Sequence, residues 1–165
     1  MKNAIVIVSV VALILYVIYR IYFREYVKMR SVFRTLRRFL DARDTMVLKI
    51  VPEVKDKKLS KEVLKMIEER KLNFTSGHNH AILSDIKLNA TLKIFYEKYN
   101  QKEKNELEKE IFSEIIRAEK NLKHLRKEYN TAVLRYNQML VQHKMVCMKL
   151  IKMKPLDTYG SQKEL

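Results

Sequence analysis

From Gln101 to Lys154 the chain contains neither Gly nor Pro, and its apolar residues recur every three or four positions. Leu107, Ile111, Ile115, Ala118, Leu122, Leu125, Tyr129, Val133, Tyr136, Leu140, Cys147 and Leu150 carry the stripe. That spacing is one face of a helix. A helix of this length with a single apolar stripe needs other elements to cover it, so the rest of the chain has to supply partners. The whole sequence holds two Gly and two Pro in 165 residues, too few for the turns of a sheet. The expected fold class is all-α: an N-terminal transmembrane helix continuing into an antiparallel bundle of long helices.

The N-terminal run Ala4 to Tyr19 is apolar apart from Ser9, and Ile21, Tyr22 and Phe23 extend it past Arg20. A spanning helix needs about 20 residues. Tyr, Arg and Phe stand where a small-residue cleavage site would follow a signal peptide, so residues 1–23 read as a retained anchor. Lys2 precedes the run; Arg20, Arg24, Lys28, Arg30, Arg34, Arg37 and Arg38 follow it against Glu25 alone. The positive-inside tendency then puts the N-terminus outside and the rest in the cytoplasm. The single cysteine, Cys147, allows no disulfide within one chain and agrees with a reducing compartment.

Beyond the anchor, residues 24–154 read as a cytoplasmic bundle with helices near 24–54, 60–72, 79–99 and 102–154. Tyr22, Tyr26, Met29, Phe33, Leu36 and Leu40 continue the first helix out of the membrane, with an end or kink near Pro52. Ser60 reads as the N-cap of the second helix. Asn73 to Gly77 reads as a loop followed by a solvated pair, His78 and His80, with no third metal ligand at suitable spacing. Pro155 stops the long helix, and residues 155–165 read as a flexible tail.

In the long helix a Tyr-Asn pair repeats after seven residues, at Tyr129-Asn130 and Tyr136-Asn137, on nearly one face. With Glu119, Leu122, Arg126, Val133 and Leu140 at their spacings, this stretch resembles the C-terminal signature of the LemA family of bacterial membrane proteins. In that family an N-terminal transmembrane helix carries an antiparallel bundle of long helices. Two departures stand out. His143-Lys144 occupy the positions where the family has a Phe-Pro pair. In the first helix Arg43-Asp44 is a remnant of the family's basic pair and Asp, and Pro52 falls several residues late. The family has no settled activity, so the resemblance implies an architecture and a membrane address rather than a reaction.

The residues themselves suggest roles in packing and interaction. Tyr129 and Tyr136 suit core-edge rings with hydroxyls at water, or alternatively a docking stripe. Asn130 and Asn137 could fix helix register across the bundle. Glu119 and Arg126 reach neighbouring helices or solvent, and Met139, Met145, Met148 and Met153 suit packing or an adaptable surface. The seven basic residues from Arg20 to Arg38 are candidates for anionic lipid head groups. No set of side chains converges on acid–base, nucleophilic, metal or cofactor chemistry, so the chain reads as a non-enzyme without a cofactor. The expected role is structural, scaffolding or protein interaction at the inner face of a bacterial membrane, with an unidentified protein or a second copy as partner. The net charge of +15 keeps a membrane-tethered nucleic-acid binder as the alternative. Against it, the basic residues cluster beside the span and no nucleic-acid motif is present.

Overall fold

A computed structural model describes residues 2–144 and 152–160. The described residues form four α-helices with no strand: α1 Lys2–Ile50, α2 Lys57–Ser76, α3 His78–Asn100 and α4 Glu106–Gln142. The all-α expectation holds. Expected positions Met145, Cys147, Met148 and Leu150 lie outside the described residues.

α1 runs 49 residues without interruption, roughly 72 Å at about 1.5 Å per residue. Nothing breaks it before Pro52, which has no N–H for the next helical bond. There the chain tightens into a 3-10 turn, Val51–Glu53, and Val54 leaves it extended. The N-terminal part of α1 is apolar on all sides and stays exposed from Ile5 through Val17 and at Tyr19 and Phe23, with Ile18 half-buried between them. An 18-residue window in this helix has a mean hydropathy of 2.4, and only 6% of it is buried inside the molecule. A core helix of comparable apolarity would be covered; this one is long and apolar enough to cross a membrane and is left almost uncovered by the described residues.

The other end of α1 is amphipathic and joins the core. Met29, Leu36, Leu40 and Val47 are fully buried. α4 runs antiparallel along the same face. Ile115 packs in one cluster with Val47 and Ile50, Leu122 and Tyr129 with Phe33 and Leu36, and Tyr136 with Tyr22. The end of α4 therefore returns toward the apolar half of α1. His143 closes it: its N–H donates to the Met139 carbonyl at 3.2 Å, and its ring meets Tyr22 edge-on at 5.4 Å.

α2 and α3 form a hairpin that completes the core, contributing Val63, Ile67, Leu88, Leu92 and Phe95. Three local details differ from the sequence expectation. The N-cap of α2 is Asp56, whose carboxylate accepts the Leu59 N–H at 3.0 Å, while Ser60 donates to the Val51 carbonyl. Asn73 to Ser76 is the last turn of α2, not a loop, because the whole reversal falls on Gly77 at φ 134° and ψ 165°, a region open only to glycine. His78 and His80 consequently sit in the first turn of α3. His80 is exposed, but the His78 ring lies 4.0 Å from that of Phe33 and is half-buried.

α4 starts with a capping box, Asn105 and Glu108 each accepting the other's backbone N–H. It ends at Gln142 and does not reach Lys154; residues 152–158 are non-helical. Nor is the segment after Pro155 a free tail as far as Gly160. Leu156 and Tyr159 pack against the bundle.

Candidate functional site

The Tyr-Asn repeat faces this returning segment. Asn137 Nδ2 donates to the Leu156 carbonyl at 2.7 Å, and its Oδ1 accepts the Leu156 N–H at 3.0 Å. Asn130 treats Tyr159 in the same way, at 2.9 and 2.8 Å. The Tyr136 hydroxyl donates to the Lys154 carbonyl at 3.2 Å and that of Tyr129 to the Asp157 carbonyl at 3.3 Å. Asn79, in the first turn of α3, accepts the Asp157 N–H at 3.0 Å. Both tyrosine rings are buried as expected. Their hydroxyls, however, meet main-chain carbonyls instead of water, and the two asparagines bind a non-helical segment instead of a neighbouring helix.

The repeat length explains the fit. Seven helical residues advance about 10.5 Å. Three residues of extended chain advance roughly 9.3–10.2 Å. One Tyr-Asn pair per heptad on α4 therefore meets the segment once every three residues: Lys154 and Leu156, then Asp157 and Tyr159. Pro155 has its φ fixed near −65° by its ring, which favours the extended entry.

Tyr159 links this groove to a second feature, a buried charge cluster. Its ring packs edge-on against Tyr129 at 5.7 Å, and the Arg126 guanidinium lies 5.5 Å over it. Arg126 donates to Asp85 at 3.0 Å and pairs with Glu119 at 3.7 Å. Arg43 reaches Asp44 at 2.9 Å, Asp85 at 3.3 Å and Glu119 at 3.4 Å. Arg70 from α2 binds Asp44 and Asp41, and its guanidinium lies 5.0 Å over Phe74. Arg43, Asp44, Arg70 and Asp85 are fully buried. All four helices contribute, so the cluster fixes their register.

Electrostatics keeps Arg43 charged. Burial works against the charge on Arg43, but Asp85, Asp44 and Glu119 more than offset it, and its pKa is raised. Burial first, then the Asp85 carboxylate, push the Tyr159 phenol well above its ordinary value. Burial likewise raises Tyr129, with Asp157 adding to it. These phenols stay protonated and able to donate.

Glu119 and Arg126 thus belong to the cluster rather than to open solvent. Sequence reading singled out neither Arg70 nor Asp44 as functional, and treated Arg43-Asp44 only as a family remnant. A signal existed: Arg43 falls on the buried face of α1, three residues after Leu40 and four before Val47.

The seven basic candidates, Arg20, Arg24, Lys28, Arg30, Arg34, Arg37 and Arg38, are all exposed. At about 100° per residue they fall within an arc of roughly 180°, opposite the stripe of Tyr22, Met29, Phe33, Leu36 and Leu40. Arg37 is partly engaged, 5.3 Å over Phe74 and 3.8 Å from Asp41.

No other described group of side chains suggests chemistry. Among the described residues no three His, Cys, Asp or Glu are placed to hold a metal ion. A surface cleft by Glu53, Asp56, Lys98 and Lys102 is lined by charges already paired with each other, Lys98 with Asp56 and Lys102 with Glu53. No protein-family model matches the chain, and no curated protein or solved structure is detectably similar to it.

Proposed function

We propose that this chain is a single-pass membrane protein of LemA-like architecture that holds a helical bundle at the inner face of a bacterial membrane. Its N-terminus lies outside, and it works by binding other molecules, as a scaffold or interaction module, without catalysis. One observation carries the reading. α1 is a single helix, exposed and apolar over one part, then buried in the bundle core over the next. Such a helix ties the bundle to the bilayer with no joint between them. The exposed basic arc just past the apolar part supports the orientation and an anionic lipid surface as a partner. The Tyr-Asn spacing on α4 supports the family resemblance.

Fractionation with a carbonate wash, together with mass spectrometry of the N-terminus, tests anchoring. The intact chain should stay in the membrane; release by the wash, or a mature form starting after Arg20, overturns it. Alkaline phosphatase fused after Leu165 should be inactive, and strong activity would reverse the topology.

A further inference from the structure

We propose that the Tyr129-Asn130/Tyr136-Asn137 face of α4 is a peptide-binding groove, occupied in cis by residues 154–159, that accepts an extended peptide carrying an apolar residue and, three positions later, a tyrosine. This deepens the interaction role proposed above and names its partner class.

The chemistry of recognition points this way. The hydrogen bonds described above run from Tyr136 and Asn137, from Tyr129 and Asn130, and from Asn79, and every one of them goes to main chain. A carboxamide that both donates to a carbonyl and accepts from the N–H of one residue recognises extended backbone, whatever the side chain. Two such carboxamides a heptad apart set a three-residue register, which an extended segment satisfies and a helix does not. A pure register device would need only one, and it would pair with a helix.

Side chains supply the selectivity. Leu156 packs against the Tyr22, Tyr136, Met139 and Leu140 cluster. Tyr159 fills the space between Tyr129 and Arg126. Lys154, Pro155 and Gly160 are exposed, and the residues from Leu156 to Tyr159 are half-exposed. The occupant therefore lies in an open groove and not under a layer of structure, so another peptide can replace it without opening the bundle. The cis segment reduces the apparent affinity for any competitor in proportion to the fraction of time the groove stands empty.

The test uses the full chain in detergent and a fluorescent peptide with the sequence of residues 152–160. The double variant Leu156→Ala/Tyr159→Ala weakens the cis occupant and leaves the groove intact; it should bind the peptide at least about tenfold more tightly than the parent. Adding Asn130→Ala and Asn137→Ala should reverse that gain, and a peptide with Ala at the tyrosine position should bind at least about tenfold more weakly. Equal peptide binding by parent and double variant, or by chains with and without the asparagines, overturns the proposal. Hydrogen exchange on the unmodified chain gives an answer free of variants: excess peptide should deprotect the Leu156 and Tyr159 amides, and unchanged protection overturns it. Failure here leaves membrane anchoring intact, because the carbonate wash reads that separately.

Discussion

Arg43 on α1 and Asp85 on α3 meet at 3.3 Å, 42 residues apart in the chain, with both side chains at 0% exposure. Asp44 and Asp85 have no water to fall back on if the guanidinium is removed. Replacing Arg43 by Met should destabilise the bundle by about 3–5 kcal/mol, because Asp44 keeps only Arg70 and Asp85 only Arg126, and the buried carboxylates are left under-compensated. That is a large share of the ~5–15 kcal/mol holding a domain folded. Arg43→Lys should also destabilise it, because one ammonium cannot address Asp44, Asp85 and Glu119 in the planar pattern a guanidinium offers. Urea unfolding followed by circular dichroism checks both. A lysine variant as stable as the parent would show that the fork geometry is unimportant.

The tyrosine hydroxyls and rings should separate experimentally. Tyr129→Phe with Tyr136→Phe removes two bonds to the main chain of the segment, each contributing about 1 kcal/mol. The rings stay, so the bundle should melt nearly as before. Trypsin should nevertheless cut after Lys152 roughly 10–30-fold faster as the segment lifts more often. Tyr129→Ala should instead lower global stability by about 3–5 kcal/mol, as loss of a large buried aromatic does.

His78 should make stability depend on pH. Burial against Phe33, with Arg30 nearby, lowers its pKa from 6.5. The folded chain then holds the proton less tightly than the unfolded chain. Stability is complete above about pH 6.5 and falls as the pH drops through that value toward the lower folded pKa. Thermal unfolding between pH 7.5 and 5.5 should show the fall, and His78→Gln should flatten it. A parent curve flat across this range contradicts the assignment.

Distance from the bilayer should rank the basic residues. The Debye length at physiological salt is about 8 Å, and Arg38 lies roughly 27 Å along the helix from Arg20 at about 1.5 Å per residue. Arg24→Gln/Lys28→Gln should therefore weaken binding of phosphatidylglycerol to the purified chain by about 1 kcal/mol per charge. Arg34→Gln/Arg38→Gln should change it little. Lipid titration into neutral detergent micelles measures both. If double-stranded DNA displaces the lipid at equal phosphate concentration, nucleic-acid binding becomes the better account of the charge.

What the sequence made legible followed from periodicity. The stripes of α1 and α4 bury or half-bury most of the described residues their spacing selects, although Leu107, in the first turn of α4, is 64% exposed because no helix covers it there, and Pro52 and Gly77 punctuate the chain where their backbone chemistry requires. Periodicity says nothing about which charges are inside. Arg43 and Arg70 are long polar residues of the kind that usually face water, and only their convergence on Asp44 and Asp85 from separate helices makes burial tolerable. The groove was hidden for another reason. The hydrogen bonds to its occupant end on main-chain atoms, which leave no polar signature in residues 152–160, and its two packed side chains, Leu156 and Tyr159, are too few to make a periodic pattern. The cap at Asp56 was missed because Ser60 offered an equally good local signal, and the choice between them depends on the Val51 carbonyl that Ser60 binds.

The unbroken course of α1 gives the molecule a mechanical property. With its apolar part in a bilayer, the helix is a lever with its fulcrum at the lipid surface. A thinner bilayer makes a helix of fixed length tilt further. The arm beyond Phe23, Arg24 to Ile50, is 27 residues long, roughly 40 Å. A further tilt of about 10° would swing its far end by roughly 7 Å. Because α4 and the charge cluster are fastened along that arm, the bundle has to swing as one piece. Membrane thickness would thereby be converted into the angle at which the groove is presented.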